Sequence, residues 1–228
     1  MGDINREKVG AVIAAAGSSE RMGGVDKVLA LLNGKPMLAW VVEAFQKCSR
    51  VDQIVVVVNG ENEERCRELV KEQGWDKVTD VCLGGRRRQD SVAAGLSRLK
   101  DCGWVVVHDG ARPLVTWDLI SSGLEAAKET GAAVAAVPVT DTVIVAGTGR
   151  FIQQTLARRN LLAAQTPQVF RVDIITEAHR QVKADVTDDA SMAEQLGYKV
   201  KLYTGSYDNI KVTIAADLSL VEWKLYQK

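Results

Sequence analysis

The chain has 228 residues, and its 29 Lys+Arg balance 29 Asp+Glu, so it is neutral at pH 7. Neutrality argues against a broad nucleic-acid surface, and no segment approaches the roughly 20 apolar residues of a membrane span. The length suits one α/β domain with a full core, so residues 1–228 are expected to form a single domain. Cys48, Cys66, Cys82 and Cys102 include no C-x-x-C pair, and only His108 and His179 could join them around zinc, so no structural zinc site is expected. Asp3 and Glu7 precede a short apolar run, unlike a signal peptide. The expectation is a reduced, cytoplasmic protein.

Val9–Ala16 reads as a buried parallel strand. It breaks into a loop with Gly17, Ser18, Ser19, Gly23 and Gly24 and two cations, Arg21 and Lys27. Glycines let backbone amides approach an anion closely, and with the two cations this loop suits a polyphosphate. A surface turn with ordinary charges is the alternative. It is not a P-loop, because Met22 stands where the second glycine is needed and Lys27 follows Asp26. It is not a dinucleotide fingerprint either, because Ser19 replaces that motif's second glycine.

Leu29–Leu32 and the Asn33-Gly34 turn lead to Pro36 and a helix whose apolar face is Met37, Leu38, Val41, Val42 and Phe45. Ile54–Val58 is a strand, Glu61–Gln73 an outer helix, Val78–Leu83 a strand, Asp90–Leu99 a helix and Trp104–Val107 a strand. Trp117–Glu129 is a helix and Ala132–Val137 a strand. Short strands alternating with helices mean βαβ units, hence an α/β fold with a Rossmann-like, open, mainly parallel twisted sheet and helices on both faces. The rhythm changes at Asp141–Leu156, where two β runs flank Gly147-Thr148-Gly149. A projecting β-hairpin arm is expected at about residues 139–160. Leu161–Phe170 is a returning strand, Asp173–Val182 and Asp189–Leu196 are helices, Val200–Tyr203 and Asn209–Val212 are strands, and Leu218–Tyr226 is a closing helix.

Ligands of open parallel sheets bind at the carboxyl ends of the strands. Four polar clusters fall there. The first is Gly17 to Lys27. The second, Gly84-Gly85-Arg86-Arg87-Arg88-Gln89-Asp90-Ser91, is either a solvated basic turn capped by Asp90 or Ser91, or amides exposed at a helix N-terminus. The third is His108-Asp109 with Arg112, where Asp109 suits a magnesium ion bridging phosphates or an ion pair bracing a turn. The fourth comprises Thr187-Asp188-Asp189 and Asn209-Ile210-Lys211-Val212-Thr213, with Thr187 and Thr213 as expected caps and Lys211 oddly placed in a near-apolar stretch. His179 reads as a helix-surface residue. Cations for a triphosphate, one carboxylate for magnesium and no nucleophile–histidine pair point to phosphoryl or nucleotidyl transfer.

The motifs AAAGSSERMGG…K, GGRRRQDSV, VHDGARP, the DT within Val139–Val143, ARRNLLAAQTPQ, TDDAS and DNIKVT span nearly the whole chain. In this order they resemble the nucleotidyltransferases that activate polyol phosphates, and most closely the 2-C-methyl-D-erythritol 4-phosphate cytidylyltransferase family of non-mevalonate isoprenoid synthesis. The resemblance implies that Ala15, Ala16, Gly17, Arg21 and Lys27 bind the CTP triphosphate. Gly85 and Ser91 would hold cytosine, with Arg86 contributing backbone. Asp109 would contact magnesium or the acceptor's hydroxyls. Arg112, Thr142, Arg159, Thr166, Thr187 and Lys211 would surround the acceptor phosphate and the transferring group. Arg21, Lys27 and Lys211 would be catalytic, with Lys27 and Lys211 neutralising charge at the α-phosphorus. The family's arm crosses to a second subunit, which implies a homodimer. Some members have an acidic residue where Arg86 stands and an alanine where Gly110 stands. The rivals are a D-ribitol 5-phosphate cytidylyltransferase of wall teichoic acid synthesis, a dinucleotide-dependent oxidoreductase, disfavoured by the missing fingerprint, and a catalytically silent nucleotide-binding regulator.

Overall fold

The computed structural model describes residues 7–17 and 28–227; Arg21 and Lys27, with the rest of their loop from Ser18 to Gly24, lie outside the described residues. In chain order the elements are β1 (Lys8–Ala14), β2 (Leu31–Leu32), β3 (Lys35–Pro36), α1 (Met37–Lys47), β4 (Gln53–Val58), α2 (Glu63–Gln73), β5 (Val78–Leu83), α3 (Arg88–Leu96), β6 (Cys102–Asp109), α4 (Trp117–Ala127) and β7 (Ala132–Pro138). There follow β8 (Ile144–Ala146), β9 (Ile152–Thr155), β10 (Leu162–Arg171), α5 (Val172–Gln181), α6 (Asp189–Gln195), β11 (Lys201–Thr204) and α7 (Ala215–Tyr226).

The main sheet has seven strands in the order β11-β7-β10-β6-β1-β4-β5. Strand β10 runs antiparallel to both β6 and β7, while β1, β4, β5, β6, β7 and β11 pair in parallel wherever they are neighbours. This is the expected open, mainly parallel sheet. The period-2 alternation of β1 sends Ala11 and Ile13 to one face and Val12 to the other. On the first face α1, α2 and α4 cover the sheet with Val42, Phe45, Leu69, Ile120 and Leu124. On the second, α3, α5 and α6 supply Val92, Ile174, Ile175 and Ala193. Chain order reverses between β1 and β6, because the chain leaves β1 for β4 on one side and later returns to β6 on the other. A crevice forms at such a switch point, beyond the carboxyl ends of the strands.

Strands β8 and β9 pair with each other, Ile144 opposite Thr155 and Val145 opposite Gln154, and with no other described strand. Ile144, Val145, Phe151 and Ile152 are exposed on this ribbon. Asn209–Val212 is not a strand. Val212 N donates to Ala111 O at 2.8 Å and Ile210 N to Asp208 O at 2.8 Å, so turn contacts take the donors a ladder would need. The apolar character of the segment reflects docking instead: Val212 is wholly buried against Leu32, Met37, Ala111 and Val221. The two threonine caps are also corrected. Asp188 caps α6, accepting from Ser191 N at 3.0 Å, and Thr187 lies one residue too early. Ile214 holds the cap position of α7, where Asp217 reaches back to accept from Thr213 N and Ile214 N.

Helix α3 lies close on the sheet through Gly95, where an added Cβ would sit 2.5 Å from Val12 Cγ1 and 2.8 Å from Val57 Cγ2. Both valines are wholly buried in central strands, so neither can retreat. Gly95→Val is expected to lower stability by about 2 kcal/mol through overpacking, measured by urea unfolding; unchanged or raised stability would contradict this packing.

Candidate active site

The crevice holds two adjoining cavities. The larger, of about 500 Å³, is lined by Ala15, Ala16 and Gly17 at the end of β1, by Gly85, Arg86 and Ser91 before and within α3, and by Arg88, Asp109 and Lys211. The smaller, of about 170 Å³, is lined by Arg88, Asp109, Arg112, Thr166, Thr187 and Lys211, with Gln165 and Gln168 behind them. Three residues, Arg88, Asp109 and Lys211, border both. A shallower hollow of about 560 Å³ at the start of β6 and α5 lacks this convergence, and its Arg171 is already paired with Asp173 at 3.1 Å.

Small residues bring the walls of the larger cavity together. A Cβ on Gly84 would stand 2.4 Å from Ala16 Cβ, and one on Gly110 would stand 2.8 Å from Ala15 Cβ. The loop before α3 is held from within. Ser91 Oγ accepts from Gly85 N at 3.2 Å and donates to Arg87 O at 3.2 Å. Asp90 caps the helix from its first turn, accepting from Arg87 N at 3.1 Å, and pairs with the Arg87 side chain. Arg86 is left exposed at the cavity wall.

Asp109 is the carboxylate at the end of β6, and its side chain is 9 % exposed. Its Oδ1 lies 3.0 Å from Arg88 Nε; its Oδ2 lies 2.8 Å from Lys211 Nζ and 3.7 Å from Arg112 Nε. Burial alone would push the Asp109 carboxyl up, but Arg88, Lys211 and Arg112 outweigh it and hold the group ionised far below the usual carboxylate range. Arg88 reaches past Asp109 to a second carboxylate, with Nη1 2.6 Å from Asp189 Oδ2. Burial opposes the Arg88 charge, and Asp189 and Asp109 more than restore it. Asp189 is 1 % exposed and also accepts from His179 Nε2 at 3.1 Å. His179 is thus not a surface residue, since its ring is 8 % exposed and turned inward to Asp189.

The structure therefore brings Ala15, Ala16, Gly17, Gly85, Arg86 and Ser91 to one cavity, and Asp109, Arg112, Thr166, Thr187 and Lys211 to the other or to the shared wall. Thr142 and Arg159 are not brought there. Both are exposed near the β8–β9 ribbon and line neither cavity. Arg21 and Lys27 lie outside the described residues. Sequence reasoning gave no role to Arg88, Asp189, Gln168 or Asn209. Gln168 Oε1 accepts from Asp189 N and Ala190 N at 3.2 and 3.0 Å, which ties the start of α6 to β10. The only signal was a polar residue inside an apolar strand pattern. Arg88 Nη2, Arg112 Nε and Asn209 Oδ1 are buried and make no hydrogen bond among the described residues. Two of these are cationic donors beside the smaller cavity, which suits an anionic ligand.

The network has no cluster of three or more His, Cys, Asp or Glu able to hold a metal among the described residues. Among the described residues, Asp109 is the one carboxylate lining the larger cavity. No described helix is long and apolar enough to cross a membrane.

Residues 9–227 match the family model for 2-C-methyl-D-erythritol 4-phosphate cytidylyltransferase. The chain is 52% identical to the enzyme of that name from Dehalococcoides mccartyi, covering 95% of each chain. It is 44% identical to that from Caldanaerobacter subterraneus, covering 94% of this chain and 97% of the other. Among solved structures it resembles 4-diphosphocytidyl-2C-methyl-D-erythritol synthase of Anaerococcus prevotii, with a TM-score of 0.86, 25% identity and 96% of each chain covered. It also resembles the Thermus thermophilus cytidylyltransferase, with a TM-score of 0.79, 30% identity, and 97% and 100% covered.

The Asp189 carboxyl is raised by burial but lowered more by Arg88 and His179, so its folded value lies below its unfolded value of about 3.9. Its contribution to stability is complete above that unfolded value and is lost as pH falls through the folded one. Asp189→Asn is expected to lower stability by about 3 kcal/mol at neutral pH, the low end for a broken buried pair because Asp109 still faces Arg88. Urea unfolding of both proteins from about pH 7 to about pH 3 should show the difference shrinking at the acid end. A difference that stays constant would contradict the ion-pair account.

Proposed function

Because this chain belongs to the 2-C-methyl-D-erythritol 4-phosphate cytidylyltransferase family, we propose a division of labour in which the larger cavity takes CTP and the smaller takes the phosphate of the acceptor. The activity is transfer of the cytidylyl group from CTP to 2-C-methyl-D-erythritol 4-phosphate, giving 4-diphosphocytidyl-2-C-methyl-D-erythritol and pyrophosphate. The observation that supports the division is that Arg88, Asp109 and Lys211 stand in the wall shared by both cavities. A phosphate oxygen of the acceptor attacks the α-phosphorus across that wall, the bond to the bridging oxygen breaks, and pyrophosphate departs.

Positioning and charge neutralisation carry such a reaction. Lys211, 42 % exposed and anchored on Asp109 at 2.8 Å, is the mobile cation of the wall and neutralises charge as the new bond forms. Arg112 holds the acceptor phosphate with help from Thr187. Ala15, Ala16 and Gly17 receive the triphosphate, together with Arg21 and Lys27 as the family resemblance implies. Gly85, Arg86 and Ser91 frame the base, with Ser91 acting through the loop it closes. Thr142 and Arg159 serve a second copy's site, consistent with their distance from both cavities and with the apolar side chains exposed on the β8–β9 ribbon; this makes the working unit a homodimer of single-domain chains.

A magnesium ion fits this site if the nucleotide phosphates supply most of its ligands. Among the described residues Asp109 is the carboxylate available, and its Oδ2 partner Lys211 is exposed enough to yield one oxygen. When bound, such an ion draws charge from the phosphate oxygens and the departing pyrophosphate. The neutral composition argues against a broad nucleic-acid surface, and a cytoplasmic setting belongs to the same proposal.

Pyrophosphate release from CTP and magnesium is expected with 2-C-methyl-D-erythritol 4-phosphate and not with D-ribitol 5-phosphate; release with the ribitol phosphate alone would overturn the acceptor assignment. Lys211→Ala and Lys27→Ala should each lower kcat by roughly 10²–10³, the scale of one preorganised charge-stabilising donor. Unchanged turnover in either variant would remove that lysine from the mechanism. Mixing Arg159→Ala with Lys27→Ala under subunit exchange should restore part of the activity, and no rescue after confirmed exchange would count against shared sites.

A further inference from the structure

His108 is wholly buried at the end of β6, one residue before Asp109, and nothing in the proposed chemistry uses it. Both of its ring nitrogens are engaged. Nδ1 lies 3.0 Å from Thr166 Oγ1, and Nε2 lies 3.2 Å from Arg112 O. The proton positions follow by elimination. The Arg112 carbonyl can only accept, so Nε2 carries a proton and donates it there. On a neutral ring Nδ1 is then bare and accepts from Thr166 Oγ1, whose oxygen accepts from Asp109 N at 3.0 Å. Arg112 Nη1 in turn donates to Asn209 O at 2.7 Å, and Asn209 Nδ2 donates to Thr166 O at 2.7 Å. The bonds close a circuit from His108 through Arg112, Asn209 and Thr166 back to His108, with the Asp109 amide hung on Thr166.

We infer that His108 is a positioning residue: as a neutral ring protonated on Nε2, it locks this circuit and thereby sets the angle at which Asp109, Arg112 and Lys211 face the smaller cavity. Lys211 belongs to the circuit through the chain, two residues beyond Asn209. The ring lies wholly in the core, 5.3 Å from the Phe45 ring, and the pairing of one nitrogen with a carbonyl and the other with a hydroxyl suits a neutral imidazole. Thr166 also changes character. Its hydroxyl is committed on both sides and the residue is 3 % exposed, so it orients Asp109 through the backbone rather than offering a free hydroxyl to the acceptor. A histidine can do this where other residues cannot, because the circuit needs an acceptor and a donor at opposite ends of one rigid ring.

The kinetic consequence rests on the assignment of the smaller cavity to the acceptor phosphate; the tautomer does not. Imidazole ¹⁵N NMR of the folded wild-type protein at neutral pH should show His108 as a neutral ring protonated on Nε2. A ring protonated on Nδ1, or on both nitrogens, overturns the proposal whatever the activity. His108→Asn retains an acceptor near the Nδ1 position, and His108→Gln retains a donor near the Nε2 position, so each breaks the circuit at one end. Both should raise KM for the acceptor or lower kcat by roughly tenfold or more while leaving KM for CTP within about twofold. Wild-type acceptor KM and kcat in folded variants would overturn the proposal, as would losses for CTP and acceptor that fall together in step with melting temperature. Should both variants fail to fold, Thr166→Val on β10 carries the same kinetic expectation and the same refutation. Absence of turnover by the wild-type enzyme with methylerythritol phosphate would instead refute the acceptor assignment and leave the NMR result standing.

Discussion

The Arg88 guanidinium lies between two buried carboxylates, 3.0 Å from Asp109 and 2.6 Å from Asp189, and the charge balance of the crevice follows from that placement. An ionised Asp109 at 9 % exposure is costly unless compensated. With Arg88 fixed on one side, its other oxygen is left for Lys211 and Arg112. Asp189 is held in place by Gln168 on β10 and by His179 on α5, so the helices of the second face reach the reaction site through one arginine. Swapping Arg88 for lysine would keep a charge yet lose the fork that spans both acids.

Two hydrogen-bonded systems thus meet at Asp109. The ionic one runs from α5 through Asp189 and Arg88 to the carboxylate. The other runs through the uncharged His108, Thr166 and Asn209 and the Arg112 guanidinium to the backbone on either side of it. The first sets the charge state, and the second sets direction. Both pass through β10, the one antiparallel strand of the main sheet, which lies beside β6 and so delivers Thr166 and Gln168 to the crevice from the opposite chain direction.

Much of the fold could be read from the sequence because the signals were local. The continuous apolar run Ile54–Val58, the glycines soon after β1, β4, β5 and β6, and the Gly147-Thr148-Gly149 turn place these strands within a residue or two and mark the ribbon. The clusters at Gly85, Asp109 and Lys211 were legible for the same reason, since open sheets put their ligand groups at strand ends. What failed depended on distant partners. The stretch Asn209–Val212 alternates like a strand, but its apolar residues face a docking surface whose identity the sequence does not state. His179 looks like a helix-surface residue until α6 brings Asp189 against it. Arg88, the last of three consecutive arginines, had no local mark to separate it from the exposed Arg86; only the fold carries it inward while Arg86 stays at the cavity rim.

The most direct test of this account is the turnover of Arg88→Lys on folded protein at saturating CTP and methylerythritol phosphate. Lysine preserves the charge and removes the two-carboxylate bridge, so the account predicts a fall in kcat of roughly tenfold to a hundredfold, with the variant still bound by CTP. A variant that turns over at the wild-type rate would show that Asp109 does not depend on the bridge, and would contradict the central role given to Arg88.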